Sequence, residues 1–356
     1  MKKYKIAVIP GDGIGIEIIG EGVKVIKAAE EISGGFKVEY TNLPWSCELY
    51  KKTGQMMPKD GLKILADHDA IYLGAVGFPG VPDHISLWGL LLPIRFEFDQ
   101  YINLRPVKLL NGLNGPLKKA PKDLDFVVVR ENTEGEYAGA GGRLRKNTPF
   151  EVAIQTSIFT RRGTERVMRY AFELARKRRK NLISITKSNA LNYSMVFWDD
   201  VFEEVLKDYP DVIGKHMHVD AAAANFVLHP EYFDVVVASN LFGDILTDLG
   251  AAIQGGIGMA PGGNINPEKK YPSMFEPIGG SAPDIAGKGI ANPIGAIWAV
   301  SMMLDFLGES ESAQLIFNAI CKIIEEGKYL TPDIGGNSKT QELGEAIRKK
   351  MKEMSK

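Results

Sequence analysis

The chain has 356 residues, of which 45% are hydrophobic and 24% charged, enough for two domains with a large core and too apolar for disorder. Lys and Arg number 43 against 44 Asp and Glu, a net charge of −1, so there is no basic surplus of the kind a nucleic-acid coat or a membrane-surface protein needs. Two cysteines, Cys47 and Cys321, rule out a disulfide framework and a four-cysteine metal site, and read as apolar side chains.

In chain order, Tyr4–Ile9 reads as a buried strand and Ile14–Glu31 as a helix. Asp69–Gly74 and Asp125–Val129 read as strands, Arg161–Lys180 as a helix, Asn181–Thr186 as a strand and Tyr193–Asp208 as a helix. Phe233–Ser239 reads as a strand, and Leu241–Gln254, Ile294–Leu307 and Ala313–Glu326 as helices. The alternation indicates an α/β architecture. Gly and Pro cluster at Gly77–Asp83, Asn111–Lys122 and Gly255–Pro267; the first and third could bracket a middle domain with the two chain ends paired as the other, an arrangement the sequence favours only weakly over two sequential domains. The opening apolar stretch Ile6–Pro10 is too short for a signal peptide, and no apolar run approaches the ~20 residues of a membrane span. The expected location is the cytoplasm.

The loop Pro10-Gly11-Asp12-Gly13-Ile14-Gly15 sits between strand and helix, but Ile16 occupies the place of the third glycine of a dinucleotide fingerprint. It reads as a tight turn whose helix N-terminus could face an anion. After the strand at Phe233–Ser239, Asp244 and Asp248 lie four apart on one helical face, where like charges repel unless the helix dipole or a cation offsets them. Two solvated aspartates are one reading. The apolar context at a strand's carboxyl end favours the other, a site for a hard ion such as Mg²⁺ or Mn²⁺, with no His or Cys nearby to suit zinc.

Arg95, Arg105 and Arg130 stand in apolar company, and buried arginine demands a partner. Structural ion pairs, for Arg130 with Glu131 or Glu134, compete with bidentate recognition of a polycarboxylate or phosphate, and the recurrence of three tilts toward the ligand. Lys187 ends an apolar strand, where desolvation and nearby cations would suit it as a general base; a lysine snorkelling to solvent is the plainer reading. Tyr137 is a candidate proton donor or an ordinary loop tyrosine. The run Arg176–Lys180 reads as a solvated helix end, and His216 and His218 as exposed strand positions.

Taken together, these residues resemble the metal-dependent β-decarboxylating dehydrogenases of (2R)-hydroxyacids, which include isopropylmalate, isocitrate, homoisocitrate, D-malate and tartrate dehydrogenases. The resemblance runs from Ile9-Pro10-Gly11-Asp12-Gly13-Ile14-Gly15 to Thr331-Pro332-Asp333-Ile334-Gly335-Gly336, and its most specific stretch is Asn240–Gly258. The segment Asp83–Arg95 most resembles the D-malate and tartrate branch. The resemblance implies an isopropylmalate/isocitrate dehydrogenase-like α/β fold of two domains, not a Rossmann fold. Residues 1–100 plus 256–356 would bind cofactor, and 101–255 would carry dimerisation and the metal and substrate site. It implies a homodimer with a shared active site. Arg95, Arg105 and Arg130 would hold the carboxylates of a small dicarboxylic acid, with Trp88, Leu91 and Leu92 beside its substituent. Asp244 and Asp248, with Asp220 from the other subunit, would bind Mg²⁺ or Mn²⁺. Lys187, also from the partner, would be the base at the hydroxyl, and Tyr137 would protonate the product. Gly280, Ser281, Ala282, Asp284, Ile285 and Asn292 would hold the cofactor, and Asp284, in a place where users of the phosphorylated dinucleotide carry Lys-Tyr, implies NAD. Gly279 stands where the family normally has His, which predicts a more flexible loop and altered cofactor contact. The expected reaction is oxidative decarboxylation of D-malate to pyruvate and CO₂, with tartrate as a companion substrate and 3-isopropylmalate as the alternative. Outside this class stand a metal-dependent lyase needing no nicotinamide and a non-catalytic regulatory subunit.

Overall fold

A computed structural model describes residues 1–113, 115–117 and 124–356; of the Gly/Pro cluster Asn111–Lys122, residues 114 and 118–122 lie outside it. In chain order the chain forms β1 (Lys2–Ile9), α1 (Gly15–Ser33), β2 (Phe36–Asn42), α2 (Cys47–Thr53), α3 (Gly61–Ala66), β3 (Ala70–Leu73), α4 (Asp83–Ser86), a π turn (Leu87–Leu91) and α5 (Leu92–Glu97). There follow β4 (Ile102–Lys108), β5 (Asp125–Glu131), β6 (Gly135–Leu144), β7 (Val152–Ile158), α6 (Arg161–Arg176), β8 (Asn181–Thr186), α7 (Ser194–Leu206), β9 (Ile213–His218), α8 (Val219–Leu228), β10 (Val235–Ala238) and α9 (Asn240–Ile253). The chain closes with β11 (Pro261–Ile265), β12 (Ser273–Pro277), α10 (Ile294–Leu307), α11 (Ser310–Glu326) and α12 (Thr340–Met354). These elements gather into two compact units, one of Met1–Gln100, Leu109–Lys118 and Ala251–Lys356, the other of Tyr101–Lys108 and Lys119–Gly250.

In the first unit the strand order is β2-β1-β3-β12-β11, parallel except for the antiparallel β11–β12 pair. This is not the 3-2-1-4-5-6 order of a Rossmann sheet. Alternation along β1 decides its two cores: Ile6 and Val8 pack with α1, α10, α11 and α12, while Ala7 and Ile9 face Trp45, Leu65, Leu90 and Ile94. Helix α10 is apolar nearly all round, and ten of its residues are buried.

The second unit has the order β4-β5-β10-β8-β9, with β4 antiparallel to β5 and the rest parallel. Helix α6 lays Val167, Met168, Ala171 and Phe172 into its core, α7 adds Trp198 and Phe202, and Phe126, Phe226 and Phe233 form an edge-to-face cluster. A separate two-stranded hairpin pairs β6 with β7. No helix among the described residues is long and apolar enough to cross a membrane.

Candidate active site

In the second unit β5 and β10 lie side by side with Arg130 opposite Ala238, so Arg130 reaches the sheet's carboxyl edge where α9 begins. Asn240, the first residue of α9, is fully buried and its Oδ1 accepts from Arg130 Nε (3.0 Å) and Nη2 (2.7 Å). One turn on, Asp244 Oδ1 takes Arg130 Nη1, and its Oδ2 accepts from the Tyr137 hydroxyl at 2.9 Å. Gly243 gives the Arg130 stem room to lie against the helix.

Arg105 comes from β4. Its Nε donates to Asn103 Oδ1 (2.7 Å) and its Nη1 to Thr247 Oγ1 (2.8 Å), leaving Nη2 3.8 Å from Asp244 and Nη1 3.7 Å from Asp248. Residues 240, 244, 247 and 248 thus form one stripe of α9 facing two guanidinium groups. Asp244 and Asp248 share a face, and the two arginines lie against them. The Asp248 side chain is 61% exposed. Its carboxyl sits above the usual range because partial burial and the Asp244 charge outweigh the pull of Arg105 and Arg130.

Lys187 follows β8 and its Nζ donates to Asp220 Oδ1 at 2.8 Å, in the first turn of α8. This hydrogen bond draws the Asp220 carboxyl below its ordinary value. Among the described residues no three His, Cys, Asp or Glu side chains gather into one metal-binding group.

The first unit holds the remaining candidates. Arg95, on α5, is buried; its Nη2 donates to Glu276 Oε1 at 3.0 Å, and its Nε has no hydrogen-bond partner. Glu276 also accepts from Asn264 Nδ2 at 2.7 Å. Leu91 lines a cleft of about 130 Å³ with Ser86, Leu87, Glu276 and Gly279, at the π turn. Trp88 is exposed and tilts against Phe96. Leu92 is 1% exposed and lies in the core of this unit, whereas Leu91 lines the cleft.

The cofactor candidates form the loop after β12. Ser281 O accepts from Ile14 N at 2.9 Å, and Ala282 takes the left-handed conformation at φ 39°. Asp284 is exposed, next to Ile285, while Asn292 Oδ1 accepts from Ile294 N at 3.0 Å and its Nδ2 donates to Asp333 Oδ2 at 3.0 Å. A Cβ at Gly280 would meet nothing, and one at Gly279 only Ile257 at 3.6 Å, so neither glycine is demanded by packing. The glycine-rich loop is the tight turn it resembles. Gly13 has φ +54° and its Cβ would fall 2.1 Å from Ser281 O, and the buried Asp12 carboxylate accepts from Cys47 N and Gly77 N. Burial, with Asp12 beside it, pushes the Cys47 thiol up to about 12, which leaves it inert.

The helix at Arg161 ends at Arg176, not Lys180; in the basic run Lys177, Arg179 and Lys180 are exposed as expected, while Arg176 pairs with Asp211, and Arg178 with Asp125 and the buried Asp234. His216 is the exposed strand position expected, and it lies between two carboxylates of α7.

Residues 5–347 match the family described as isocitrate/isopropylmalate dehydrogenase. The chain belongs to this family. It is therefore an oxidoreductase, and the family generally works with a nicotinamide dinucleotide and a divalent metal. It is 56% identical over 355 residues to the D-malate dehydrogenase [decarboxylating] of Escherichia coli, covering 98% of each chain. It is 52% identical over 355 residues to a probable tartrate dehydrogenase/decarboxylase of Bacillus subtilis, covering 99% of each. The solved isocitrate dehydrogenase of Methylococcus capsulatus superposes with a TM-score of 0.87 at 36% identity, over 98% of this chain and 99% of that one. The resemblance read from the motifs and the α/β fold it implied are borne out. Sequence reasoning missed the polar residues that hold the charged ones: Asn103, Asn240 and Thr247 on the two arginines of the second unit, and Asn264 and Glu276 on Arg95. Two signals were available, Asn103 sharing a strand face with Arg105, and Asn240 opening a helix right after a buried strand.

Proposed function

We propose that this enzyme oxidatively decarboxylates D-malate to pyruvate and CO₂ with NAD, assisted by Mg²⁺ or Mn²⁺, and takes tartrate as a companion substrate. The observation that carries the reading is the α9 stripe with its two arginines. Two guanidinium groups there face two carboxylates. A doubly charged acid and a doubly charged cation added together leave that balance unchanged, whereas either alone leaves two charges uncompensated in a half-buried place. The donors are all oxygens, as a hard cation requires. These residues fit the metal. For the substrate, Arg105 and Arg130 can exchange Asp244 and Asp248 for a substrate carboxylate; in the first unit Arg95 Nε, which has no hydrogen-bond partner, is a donor of the same kind.

When bound, the nicotinamide accepts hydride from C2 of the substrate, and the cation stabilises negative charge on its oxygens. Lys187 Nζ takes the proton of the C2 hydroxyl. Arg105 and Arg130 hold the carboxylates while CO₂ leaves C3 of the keto acid. Tyr137, whose hydroxyl Asp244 orients, donates its proton to that carbon. The NAD preference rests on Asp284, exposed where it can accept from ribose hydroxyls and repel a phosphate. The homodimer rests on exposed apolar side chains of the β6–β7 hairpin, Leu144, Val152 and Ile154. In this reading Lys187 and Asp220 complete the partner's site.

The deciding measurement is kcat/KM for D-malate, tartrate, 3-isopropylmalate and isocitrate, following NADH. D-malate should lead; Leu87 and Leu91 in the cleft make 3-isopropylmalate the competitor, and its clear preference would overturn the substrate assignment. Decarboxylation without NADH would indicate a lyase, and ligand binding without turnover a regulatory subunit. Mixing inactive Lys187→Ala and Asp248→Asn subunits should restore activity, because one site in each hybrid is then intact. No restoration would end the shared-site assignment.

A further inference from the structure

The stretch Gly280–Asn292, the cofactor loop of the reading above, is costly to hold in shape. Ala282 sits at φ 39°, in the left-handed region an alanine avoids, and Gly287 and Gly289 are left-handed as well. A conformation of this kind persists only where its surroundings over-determine it. Two helices of the first unit do so, each from its first turn. At the mouth of α1, Ile14 N donates to Ser281 O at 2.9 Å, and one residue into the next turn Glu17 Oε1 accepts from Gly287 N at 2.5 Å. Helix α12 adds two bonds through a single residue. Thr340, 1% exposed, donates from its backbone N to Gly289 O at 2.9 Å and from Oγ1 to Ala291 O at 2.7 Å. The first N–H groups of a helix find no acceptor within it, and here one of them serves the loop. Glu17, Thr340, Gly287 and Gly289 line a cleft that shares no residue with the one at Gly279 and Gly280.

The two helices are also locked to each other. Glu21 of α1, 2% exposed, accepts from Lys24 Nζ at 2.6 Å and through Oε2 from Arg348 Nη1 of α12 at 2.8 Å. Gly344, one turn after Thr340, permits this approach: a Cβ there would lie 2.2 Å from Glu21 Oε2. Glu17 and Thr340 therefore act on the loop from one rigid frame. We infer that Thr340 and Glu17 are positioning residues for the cofactor: by fastening Gly287, Gly289 and Ala291 they hold the backbone that follows Asp284, and so set where that carboxylate meets the ribose. The inference rests on the assignment of Gly280–Asn292 as the cofactor loop. A loop fixed in advance need not be ordered when its ligand arrives, so these bonds act on NAD affinity rather than on the chemical step.

The test titrates the intact enzyme with NAD by fluorescence, alongside steady-state kinetics with NAD, Mn²⁺ and D-malate, with Asp284→Ala as reference. Thr340→Val keeps the shape and the backbone N–H but removes the hydroxyl, and Thr340→Ser restores it. Thr340→Val should raise Kd and KM for NAD roughly five- to tenfold, and Thr340→Ser should recover most of the loss. The kcat at saturating NAD and the KM for D-malate should stay within about twofold, a split that a general loss of stability would not produce. Glu17→Ala should weaken NAD binding roughly three- to tenfold, whereas Glu17→Gln, which keeps an acceptor for Gly287 N, should bind like the parent. Should Thr340→Val fail to fold, the Glu17 pair decides alone. Unchanged Kd for NAD in folded Thr340→Val or Glu17→Ala, beside an Asp284→Ala that binds NAD weakly, overturns the positioning role only, as does a loss that Thr340→Ser or Glu17→Gln does not recover. Normal NAD binding by Asp284→Ala overturns the cofactor-loop assignment and this inference with it.

Discussion

Gly243→Ala separates the stability of α9 from the placing of Arg130. A Cβ at position 243 would lie 2.5 Å from Arg130 Cγ and 2.7 Å from Arg130 Cβ. Two effects oppose each other. Alanine is favoured over glycine inside a helix by about 1 kcal/mol. Overpacking a filled site costs about 1–3 kcal/mol. The clashing atoms belong to the base of the side chain, which β5 fixes, so relief requires the whole stem to move by nearly an ångström. The net destabilisation is then about 0–2 kcal/mol, a shift of a few degrees in melting temperature. The functional cost is larger, because a displaced stem breaks the 3.0 and 2.7 Å bonds to Asn240 and misaims the guanidinium. Losing one charge-assisted hydrogen bond to a substrate carboxylate is worth about 1.5–3 kcal/mol, or roughly 10- to 150-fold in KM for D-malate. Steady-state kinetics with D-malate varied, alongside thermal unfolding, reads both quantities. KM within threefold of the parent together with a raised melting temperature would refute the reasoning, since propensity alone would then have acted.

Asn240→Ala removes the shared acceptor of Arg130 Nε and Nη2 and the donor to Glu134 O, and should destabilise the second unit by about 2–4 kcal/mol, visible as a lower urea midpoint; an unchanged midpoint would show that water replaces the amide. Gly13→Ala, at φ +54° and 2.1 Å from Ser281 O, should push the Gly280–Ile285 loop aside and weaken NAD binding in a fluorescence titration more than it raises KM for D-malate. The His216–Asp199 pair predicts a pH signature in stability. His216, raised from 6.5, stabilises the fold fully below that value and loses the contribution as pH rises through its higher folded value. Asp199, lowered from 3.8, stabilises above that value and loses its contribution as pH falls through its lower folded value. The stability gap between parent and His216→Asn should therefore be widest between the two ordinary values, 3.8 and 6.5, and shrink as pH rises through the higher folded value of His216. A gap independent of pH in urea unfolding would show that the imidazole acts by packing alone.

What the sequence disclosed, and what it hid, follows one physical distinction. Asn181–Thr186 and Ile294–Leu307 match their observed spans because each is an apolar run whose burial admits few other readings. Strand β11, Pro-Gly-Gly-Asn-Ile, carries the composition of a loop, yet it is a fully buried strand. Its Gly263 lies where a Cβ would come 3.2 Å from Phe275 and 3.3 Å from Met302, so glycine there answers to packing, not to a turn. Strand β4 escaped notice for a different reason. Asn103 and Arg105 share one of its faces, and that polar face, which breaks the apolar run, is the one that serves Asp244, Thr247 and Asp248. The element that brings the chemistry to the site is disguised by the chemistry it brings. The same asymmetry governs the side chains. A charged group in an apolar run is conspicuous because burying it unpaired is prohibitive, so Arg105, Arg130 and Asp244 announce themselves. The amides that aim them do not: an asparagine before a helix is an ordinary cap, and only coordinates show that Asn240 spends its oxygen on Arg130 instead. The charged candidates are thus legible from the cost of their burial, whereas the amides that hold them become visible only through their geometry.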